Sequence, residues 1–483
     1  MDGTGRGEAG RARGAVCSAE RALAVVRDAT RATAFEGRIH VVGGYLRDLA
    51  LGLSPGNEVD LVVEGDAVSL ASYLDSRGVT SHRPVVYERF GTAMLCVDGF
   101  TVELTSARAE SYEPGSRKPN VRPASLYDDV QRRDFTINTL LRSLHSGVVQ
   151  DLTGLAYPDL AARLIRTPLD PMETFRDDPL RMLRAVRFAV HFGFQIDSAA
   201  WDAVGEMAHR LNLLEPSRPV VSAERIREEF AKIVEGPDPG RGISLLREAG
   251  LLRQFAPELE EMVGVGQNSW HNLDAWGHTL AALARLPPGA PIALRLAVLL
   301  HDVGKPRTRA EDGAGVHFLG HAAAGAEIAH GLLRRLRFPG ALCQEVSDLV
   351  RLHMRVGEVT PEWSDAAIRR LIRDTGHHLP GLFEIARADI AAMGPGAPAF
   401  DLDATAARIA AVEAESHASL LRSPLGGREI MRILGVPAGP VIGRAKRFLL
   451  DEAIEGRLGP GDTACAEAAL RRWWTAQRED SDT

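Results

Sequence analysis

The stretch Val41–Ala67, VVGGYLRDLALGLSPGNEVDLVVEGDA, carries the most information in this chain. It places Gly43 and Gly44 immediately before a helical segment, and backbone N–H groups beside glycine can approach a phosphate closely. After a proline–glycine turn, an apolar strand carries two acids, Glu58 and Asp60. Residues two apart in a strand point to the same side, so these carboxylates can share a metal ion. The stretch therefore predicts a site for a nucleoside triphosphate with a divalent metal.

The composition limits the class of protein. A chain of 483 residues is long enough for several domains, and its 45% hydrophobic content is ordinary for a soluble protein. The net charge of −7 argues against an unspecific polyanion binder but leaves open a nucleic-acid enzyme with local basic patches. The four cysteines are far apart and form no CxxC pair, which is typical of the reducing cytoplasm. No apolar run reaches the roughly 20 residues of a membrane span, so we expect no membrane association.

The residue pattern changes along the chain. Between about residues 38 and 151, short β-like runs alternate with helical pieces, whereas amphipathic helices dominate beyond about residue 160. We therefore expect a mixed head followed by helical domains. The expected segments are a disordered N-terminus at 1–17, a head at 18–158, a neck and body at 159–272, a second helical domain at 273–395 and a helical tail at 396–483.

A third acid lies in the run FGTAMLCVDGFTVELT, residues 90–105, which predicts a β-hairpin. Glu103 in its second strand would add a carboxylate to the face that carries Glu58 and Asp60. Three carboxylates can hold two Mg²⁺ ions about 4 Å apart, which activate an attacking hydroxyl and neutralise a leaving pyrophosphate. Taken alone, Glu103 is more typical of an exposed strand residue that has no role.

Positive charge follows in DDVQRRDFTINTL, residues 128–140. Arg132 and Arg133 suit phosphate because a guanidinium can bind it through two parallel hydrogen bonds. Asp134 is expected to orient one of them. The apolar residues that follow argue against a merely solvated cluster of charges.

The segment RDDPLRMLRAVRFAV, residues 176–190, predicts a base-reading helix. Arg181, Arg184 and Arg187 recur on one helical face, and Asp178 lies one turn before Arg181. Cytosine and adenine each present an amine beside a ring-nitrogen acceptor, so a carboxylate and a guanidinium can bind both. Uracil and guanine present a carbonyl where the amine would be, so the same pair rejects them without a template. Three arginines at this spacing are otherwise typical of a solvated helix face.

These pieces together resemble the bacterial tRNA nucleotidyltransferase and poly(A) polymerase family, whose members include the enzymes that add CCA to tRNA. The matching motifs, in order over about residues 38–260, are VGGYLRD, EVDLVVEGD, TSARAESY, RRDFTIN, DDPLRMLRAVRFAVHFGF and SAERIREEFAKIV. The resemblance implies a polymerase-β-like head with neck, body and tail helices. It also implies Mg²⁺-dependent transfer of C and A from CTP and ATP to the 3′ end of tRNA.

The resemblance also implies a role for individual residues. Glu58 and Asp60 would bind Mg²⁺, and Glu103 would help to activate the terminal 3′-hydroxyl. Nucleotide binding is expected from Gly43, Gly44, Arg47, Arg133, Asp178, Arg181, Arg184 and Arg187, the last four near the base.

Three positions depart from the family pattern. Glu58 stands where the first metal acid is usually Asp, Asp177 where Glu is usual, and Pro179 where Ala is usual. Proline is tolerated in a first helical turn, so we expect the helix to begin at Asp178 with that residue as its N-cap. These departures leave a CC-only, an A-only or a poly(A)-adding enzyme as alternatives.

Histidines and acids carry the chemistry of residues 271–392. His301 and Asp302 close the apolar run IALRLAVLLHDVGK, residues 292–305, and His-Asp at a helix end resembles the HD superfamily of metal phosphohydrolases. Such ligands suit a hydrolytic site with one or two metals. The resemblance implies primary ligands His278, His301, Asp302 and Asp389, with His321 and His353 available for a second metal. The metal would be Mn²⁺, Ni²⁺, Mg²⁺ or Fe, and a metal-free helical RNA-binding body is the alternative.

The complete expectation is an α+β protein, with a polymerase-β-like nucleotidyltransferase head followed by all-α neck, body, HD domain and tail. Basic residues in the tail could contact RNA phosphates; they are Arg428, Arg444, Lys446 and Arg447. The alternative is that this segment is a plain helical hairpin. The alternative function of another class is an HD-type phosphohydrolase or phosphodiesterase with a degenerate transferase head. A non-catalytic RNA-binding protein is a third alternative.

Overall fold

A computed structural model describes residues 19–111, 120–123, 125–214, 219–267, 272–313, 315–394, 400–415, 423–459 and 462–479. The segment predicted to be disordered, residues 1–17, lies outside the described residues, as does much of the stretch between Arg108 and Asp128. Internal contacts divide the chain into two compact units, whose boundary in the sequence lies between Pro257 and Glu258.

The first unit contains the following helices and strands, in chain order. They are α1 (residues 19–30), β1 (Ile39–Val42), α2 (Gly44–Ala50), β2 (Glu58–Val63), α3 (Ala67–Ser76), β3 (Val85–Tyr87), β4 (Thr92–Val97), β5 (Phe100–Ser106), β6 (Arg108–Ser111), β7 (Asn120–Pro123), α4 (Leu126–Gln131), β8 (Leu141–Ser143), β9 (Val149–Gln150), α5 (Ala156–Ala162), β10 (Leu164–Ile165), α6 (Pro171–Asp177), α7 (Leu180–Phe192), β11 (Gln195–Ile196), α8 (Ser198–Met207), α9 (Ala223–Val234), α10 (Pro239–Glu248) and α11 (Leu252–Phe255).

A seven-stranded sheet in the order β3-β4-β5-β2-β1-β8-β9 forms the head. Strands β2 and β5 pair in parallel, and the other neighbours in this sheet pair antiparallel. Apolar residues alternate along the strands, and those of one face, such as Leu61, Leu95 and Leu104, are completely or almost completely buried. Helix α3 packs against β4 and β5. The opposite face is therefore left for the polar residues of the same strands.

The neck and body lie beyond the sheet in the same unit. Helix α7 packs on α9 and α10, and α6 packs on α8. Phe135 of the head meets Phe188 of α7 edge-on, with ring centroids 5.7 Å apart. Because Phe135 is fully buried, this contact joins the head to the neck through apolar packing.

The second unit is mainly helical. Its elements, the first of which begins at the unit boundary, are α12 (Pro257–Glu260), α13 (Ala275–Leu283), α14 (Ile292–Leu300), α15 (Lys305–Thr308), β12 (Ala310–Asp312), β13 (Gly315–His317), α16 (His321–Arg335), α17 (Gly340–Leu352), α18 (Asp365–Thr375), α19 (Leu379–Ala392), α20 (Leu402–Glu415), α21 (Gly427–Leu434), α22 (Pro440–Ile454) and α23 (Thr463–Glu479).

Two groups of helices build this unit. Helices α13, α14, α16, α17 and α19 pack together, and α18 packs on α20 and α22. The tail helices α21–α23 share an apolar core that includes Ile430, Leu449 and Leu470. None of the described helices combines the length and apolar character that crossing a membrane requires.

The architecture agrees with the α+β expectation. The β-like runs IHVV, VDLVV, TAMLCVD and TVELT form β1, β2, β4 and β5, whereas VVQDLT contributes only the two-residue strand β9. Two differences are small. The helical remainder is interrupted by two-stranded sheets, β10–β11 and β12–β13. The residue spacing predicts one helix from Ser18 to about Phe35, but α1 ends at residue 30, and Ala32 adopts a left-handed backbone with φ of 56°.

Candidate functional site

The acids predicted from sequence meet on the polar face of the head sheet. Asp60 of β2 lies directly opposite Glu103 of β5 in the ladder, and Glu58 is two residues away on β2. Paired positions share a face, so the three carboxylates project to the same side. Asp60 is exposed to the open cleft, yet desolvation by the surrounding protein raises the pKa of its carboxyl; the charge of Arg133 opposes this effect and that of Glu58 adds to it. A cation at this position would relieve the unfavourable charge.

Gly43 allows the cleft to form beside Asp60. Its φ of 79° is in the left-handed region, and a Cβ here would lie 2.9 Å from Asp60 Oδ2 and 3.7 Å from Arg133 Nη1. A side chain at Gly43 would therefore strain the backbone and occupy space beside the acid and the guanidinium. This glycine leaves room for a ligand group between Asp60 and Arg133.

Asp129, rather than the predicted Asp134, orients the two arginines that follow α4. Its Oδ2 accepts from Arg133 Nε at 3.2 Å and Nη2 at 3.0 Å, and its Oδ1 accepts from Arg132 Nη2 at 2.7 Å. Although Asp129 is completely buried, these arginines lower the pKa of its carboxyl. The prediction for Asp134 was wrong because Asp129 precedes both arginines by one helical turn, at spacings of three and four residues.

Asp134 instead supports Arg184 of α7. Its Oδ2 accepts from Arg184 Nε at 2.8 Å, and its Oδ1 accepts from Asn138 Nδ2 at 2.9 Å. Burial opposes ionisation of Asp134, yet Arg184 and Asn138 hold the pKa of the carboxyl well below its usual range. The same Asn138 accepts from Arg47 Nη1 at 2.8 Å. One polar chain therefore connects α2, the segment after α4 and α7.

Arg47, predicted to bind a triphosphate, is held on several sides by protein groups. Its Nε donates to Asp48 Oδ1 at 2.8 Å, and its guanidinium lies 4.6 Å from the ring centroid of Phe192 and 5.2 Å from that of Phe188. The residue is 9% exposed. It forms part of the cavity wall with its planar group fixed by these contacts.

The predicted base-reading residues lie at the start of α7. Asp178 Oδ2 accepts from Arg225 Nη2 at 2.7 Å, and Oδ1 accepts from Arg225 Nη1 at 3.2 Å and Leu180 N at 3.2 Å. Arg181 Nη2 donates to the carbonyl of Arg132 at 2.7 Å. The helix begins at Leu180, two residues later than expected, and Pro179 rather than Asp178 occupies its N-cap position, so that expectation was wrong. Asp178 instead ends α6 in an extended backbone conformation, and its Oδ1 accepts from Leu180 N.

Arg187, one turn beyond Arg184, pairs with Glu229 of α9 at 3.0 Å. Its guanidinium also lies 4.4 Å from the ring centroid of Phe188. The side chain of Glu229 is only 5% exposed, so the pair is shielded from solvent on the acidic side. The arginine face predicted for α7 thus lines the cleft and is anchored by acids from elsewhere in the unit.

Two adjoining cavities, of about 490 and about 330 Å³, bring these residues together. Both are lined by Asp60, Arg133, Asp134 and Arg184. The larger cavity adds Gly43, Gly44, Arg47 and Arg187, and the smaller adds Glu103, Asp178 and Arg181. Glu58 is absent from the described linings of both.

Sequence reasoning missed four supporting residues. They are Asp129, Asn138, Arg225 and Glu229. Only Asp129 left a local signal, its spacing from Arg132 and Arg133. The other three bind Arg47, Asp178 and Arg187 from separate elements, 91, 47 and 42 positions away, which a single sequence does not reveal.

The second unit gathers its predicted histidines and acids into two neighbouring sets. In each set one ligand atom per residue lies within 4.8 Å of the others; the sets are His278, His301 and Asp389, and Asp302, His321 and His353. Asp302 lies between them, with Oδ2 3.2 Å from His301 Nε2 and Oδ1 3.7 Å from His321 Nε2. The structure therefore groups Asp302 with the two histidines that were expected to serve a second metal.

Three of these rings are oriented by the backbone three residues earlier. The Nδ1–H groups of His301, His321 and His353 donate to carbonyls at 2.8, 2.8 and 2.7 Å. A carbonyl only accepts, so Nδ1 carries the proton and Nε2 is left as the ligand atom. His301 and His353 each follow the last residue of a helix, where carbonyls lack helical partners.

The ligand atoms of this cluster suit a cation. His321 Nε2 and His353 Nε2 face each other at 3.2 Å, and the buried His301 Nε2 lies 3.2 Å from Asp302 Oδ2 and 3.7 Å from Asp389 Oδ1. Burial opposes charge on His301, yet Asp302 raises its pKa to about 10. Burial and the charge of His301 lower the pKa of His353 to about 4, which keeps that ring neutral.

Lys305 supplies a fixed positive charge beside the acids. Its Nζ donates to Asp302 Oδ2 at 2.6 Å and to Gln267 Oε1 at 2.5 Å. The tail arginines and lysine singled out from sequence are exposed on α21 and α22, and Lys446 and Arg447 line a cavity of about 750 Å³ with Arg373.

Known families match most of the chain. Residues 39–166 match the Poly A polymerase head domain, residues 193–263 match the probable RNA and SrmB-binding site of polymerase A, and residues 268–390 match the HD domain. The chain is 35% identical over 445 residues to the CC-adding tRNA nucleotidyltransferase of Thermus thermophilus. The aligned region covers 91% of this chain and 94% of that protein.

Two further similarities concern related activities and the fold. The A-adding tRNA nucleotidyltransferase of Deinococcus radiodurans is 35% identical over 359 residues, covering 73% of this chain and 80% of that protein. The crystal structure of the Bacillus stearothermophilus CCA-adding enzyme in complex with CTP matches with a TM-score of 0.66 at 20% identity, over 96% of this chain and 98% of that one. At that identity the structural likeness shows the fold alone.

Proposed function

This chain belongs to the tRNA nucleotidyltransferase family, and from that membership we propose that it adds C and A to the 3′ end of tRNA from CTP and ATP. It is therefore an enzyme, a nucleotidyltransferase. The observation that best supports the proposal is one pair of adjoining cavities. Their linings bring the acids Asp60 and Glu103 together with the guanidinium of Arg133 and with Asp178 and Arg181.

The acids on the sheet fit a divalent cation. We propose that Glu58, Asp60 and Glu103 hold Mg²⁺, which when bound lowers the pKa of the RNA 3′-hydroxyl and neutralises the pyrophosphate. The fit rests on the shared strand face and on the space beside Asp60 that Gly43 leaves open. Glu58 has one methylene more than Asp, so its carboxylate can reach further along the strand.

Positive groups hold the triphosphate in this proposal. Arg133 is pre-oriented by two hydrogen bonds to Asp129, so its remaining Nη1 can donate to a phosphate oxygen beside Gly43. Arg184 and Arg187 add charge from the neck, and each is fixed by a carboxylate. Fixed donors lose little freedom when the nucleotide binds.

Asp178 and Arg181 select the base. Arg225 uses two of the acceptor positions of the Asp178 carboxylate and Leu180 N a third, which leaves room for one further donor. The exocyclic amine of cytosine or adenine supplies that donor, while Arg181 donates to the ring nitrogen. A carbonyl at the same place would face an acceptor and be rejected.

The test is extension of tRNA transcripts that end at the discriminator base, at C and at CC. Each receives labelled CTP, ATP, UTP or GTP singly and then in mixtures with Mg²⁺, and products are resolved to one nucleotide. We expect addition of C, C and A, with UTP and GTP refused. An arrest after CC would make the protein a CC-adding enzyme, use of CC-ended RNA alone would make it A-adding, and a long A tract would indicate a poly(A) polymerase. A transcript with a blocked 3′ end is the control, and no extension of any substrate would contradict the proposal.

A second activity is favoured by the histidine cluster. We propose that His278, His301 and Asp389 bind one divalent metal and Asp302, His321 and His353 another, drawn from Mn²⁺, Ni²⁺, Mg²⁺ and Fe. The facing Nε2 atoms of His321 and His353 support this, because both carry lone pairs when Nδ1 is the protonated nitrogen. Such a centre supplies a nucleophilic hydroxide when the metal is bound, and it would make this unit a phosphohydrolase.

The test measures the metal content of purified protein after dialysis, followed by hydrolysis of a phosphodiester with each metal. Retained metal that is lost in His301→Ala, together with hydrolysis that is lost in the same variant, would support the proposal. A metal-free wild-type protein that takes up none of the four ions would exclude it and leave the unit as a helical scaffold.

A further inference from the structure

We propose that an apolar patch on the head sheet, formed by Val85, Tyr87 and Met94, stacks the last unpaired bases of the RNA acceptor. This inference rests on the proposed function, since it assigns a binding surface for the RNA that the transferase extends. The occupant is the single-stranded 3′ end of the RNA, which enters the cleft on the side of Glu103.

The register of the strands connects the patch to the acids. Val85 of β3 pairs with Met94 of β4, Met94 pairs with Glu103 of β5, and Glu103 pairs with Asp60 of β2. Side chains at paired positions project to the same face, so these four residues form one row across four adjacent strands. Neighbouring strands are about 4.8 Å apart, which gives the row a length of roughly 14 Å.

The row changes in character along its length. Glu103 and Asp60 are acids, whereas Val85 and Met94 are apolar and 51% and 41% exposed. Tyr87, two residues from Val85 on the same face, is 48% exposed. On the other face the β4 positions Ala93, Leu95 and Val97 are buried, and α3 packs against this strand. Val86, on that face of the edge strand β3, is 37% exposed, so only the face of the acids carries exposed apolar residues on both β3 and β4. An apolar surface on the polar face of the sheet, continuous with the cleft, calls for a ligand.

Unpaired nucleobases fit this apolar surface better than the triphosphate or the Mg²⁺ proposed for the cleft. The row is long enough for about three stacked or unpaired nucleotides, and bases of any identity have an apolar face that stacks on an aromatic ring. Arg83 lies two residues before β3 and Arg89 two residues after it, and both are exposed and can contact phosphates. Glu88 is the one acid between these arginines in the sequence. The patch would therefore position the 3′-hydroxyl without reading sequence, as an enzyme without a template needs.

The direction of entry follows from the cavity linings. The smaller cavity places Asp178 and Arg181 with Asp60 and Glu103, so the incoming base lies toward α7. The patch lies on β4 and β3, on the side of Glu103 that faces away from β2 and β1. RNA that approaches over β3 and β4 brings its terminal hydroxyl to Glu103 without crossing the nucleotide.

The experiment compares steady-state kinetics of the full-length protein and the double variant Tyr87→Ala with Met94→Ser. We expect KM for the RNA acceptor to rise about five-fold or more, as for loss of one stacked base, with KM for CTP and ATP unchanged. The single variant Tyr87→Phe should bind the acceptor as tightly as the wild type does, because it keeps the aromatic ring. The matched control is Val148→Ser with Val149→Ser, which alters exposed apolar residues at the other edge of the same sheet.

Crosslinking supplies an independent readout. An acceptor with 4-thiouridine at its terminal unpaired positions should crosslink to the peptide that spans residues 84–97. Unchanged acceptor KM in the double variant, or crosslinks confined to other peptides, would overturn the inference while leaving the transferase intact. A change of molecular mass in the double variant with unchanged acceptor KM would make the patch a contact between copies and would overturn it too. Failure of the wild-type protein to extend RNA would instead contradict the proposed function.

Discussion

The carboxylates of the head sheet and the histidines of the second unit are two ways to prepare a cation site. The sheet acids lie on a face that opens into a cleft lined by arginines, and those arginines are fixed by acids from distant parts of the sequence. The histidines are buried, and their rings are fixed by carbonyls only three residues earlier in the chain. The sheet acids are therefore open to a large ligand, whereas His278, His301 and His353 are enclosed by protein.

The difference also concerns robustness to substitution. In the cluster, His301, His321 and His353 each have their own hydrogen bond to a carbonyl, so loss of one of these residues leaves the other two rings aligned. In the cleft, Asp134 connects Arg184 with Asn138, and Asn138 connects onward to Arg47. Coupled polar groups of this kind change together, so substitutions there are expected to be non-additive.

The largest expected effect separates the two sites from each other. Asp60→Ala should lower nucleotide transfer by at least about 10³-fold, because it removes the central charge beside the phosphates. Metal content of the second unit should remain as in the wild type. His301→Ala should do the reverse, with transfer rates unchanged and metal lost. Transfer that survives Asp60→Ala, measured by single-nucleotide extension, would contradict the assignment of the sheet acids.

The next effect tests the supporting charges of the cleft. Asp129→Asn should lower the free energy of unfolding of the first unit by about 3 kcal/mol, since it leaves two arginines without their buried partner. The pKa of Asp129 is lowered on folding, so its stabilising contribution is complete above its ordinary pKa of 3.8 and is lost as the pH falls through the lower folded value. As the pH falls below about 4, the free energy of unfolding should therefore decrease less for the variant than for the wild type.

Urea denaturation at several pH values measures this contribution, and Asp202→Asn is the control because Asp202 is exposed on α8. Equal unfolding midpoints for Asp129→Asn and the wild type at neutral pH would show that the buried charges do not support the cleft.

A smaller effect concerns the choice of base. Asp178→Asn should reduce discrimination against UTP and GTP by about ten-fold, because an amide can donate where the carboxylate only accepts. The ratio of kcat/KM for CTP to that for UTP measures it. Overall transfer with CTP should fall less than the ratio does. An unchanged ratio would locate base selection elsewhere in the cleft.

The smallest effect sharpens the role of Arg225. Arg225→Lys should lower the same ratio a few-fold, because a lysine cannot hold both oxygens of Asp178 in one plane. Thermal stability should change little, since the Arg225 side chain is 48% exposed. Arg227→Lys, on the same helix, is the matched control. Loss of stability without a change in the ratio would make the Arg225 contact purely structural.

Local patterns made much of this architecture predictable. The alternation in EVDLVV and in TVELT predicted strands with Glu58, Asp60 and Glu103 on polar positions, and these strands are present. Such alternation arises because one face must be buried, and burial is a local requirement along each strand. The spacing of Arg181, Arg184 and Arg187 likewise predicted a shared helix face.

Contacts across the sequence could not be predicted in the same way. Nothing near Asp178 indicates that Arg225 binds it, because the contact depends on how α7 packs on α9. Asp134 was paired with the wrong arginine for the same reason, since adjacency in sequence was the only guide. The division of the histidine cluster, with Asp302 beside His321 and His353, depends on the packing of separate helices.

The parallel pairing of β2 with β5 has a consequence for how this protein becomes active. The chain between Asp60 and Glu103 contains α3, β3 and β4, so bringing these two acids together requires closure of a loop of about 40 residues. Contacts of such long sequence separation form slowly compared with helices. During refolding, helical signal should therefore recover before transfer activity, and a nascent chain cannot bring the two acids proposed to hold Mg²⁺ together until β5 has left the ribosome.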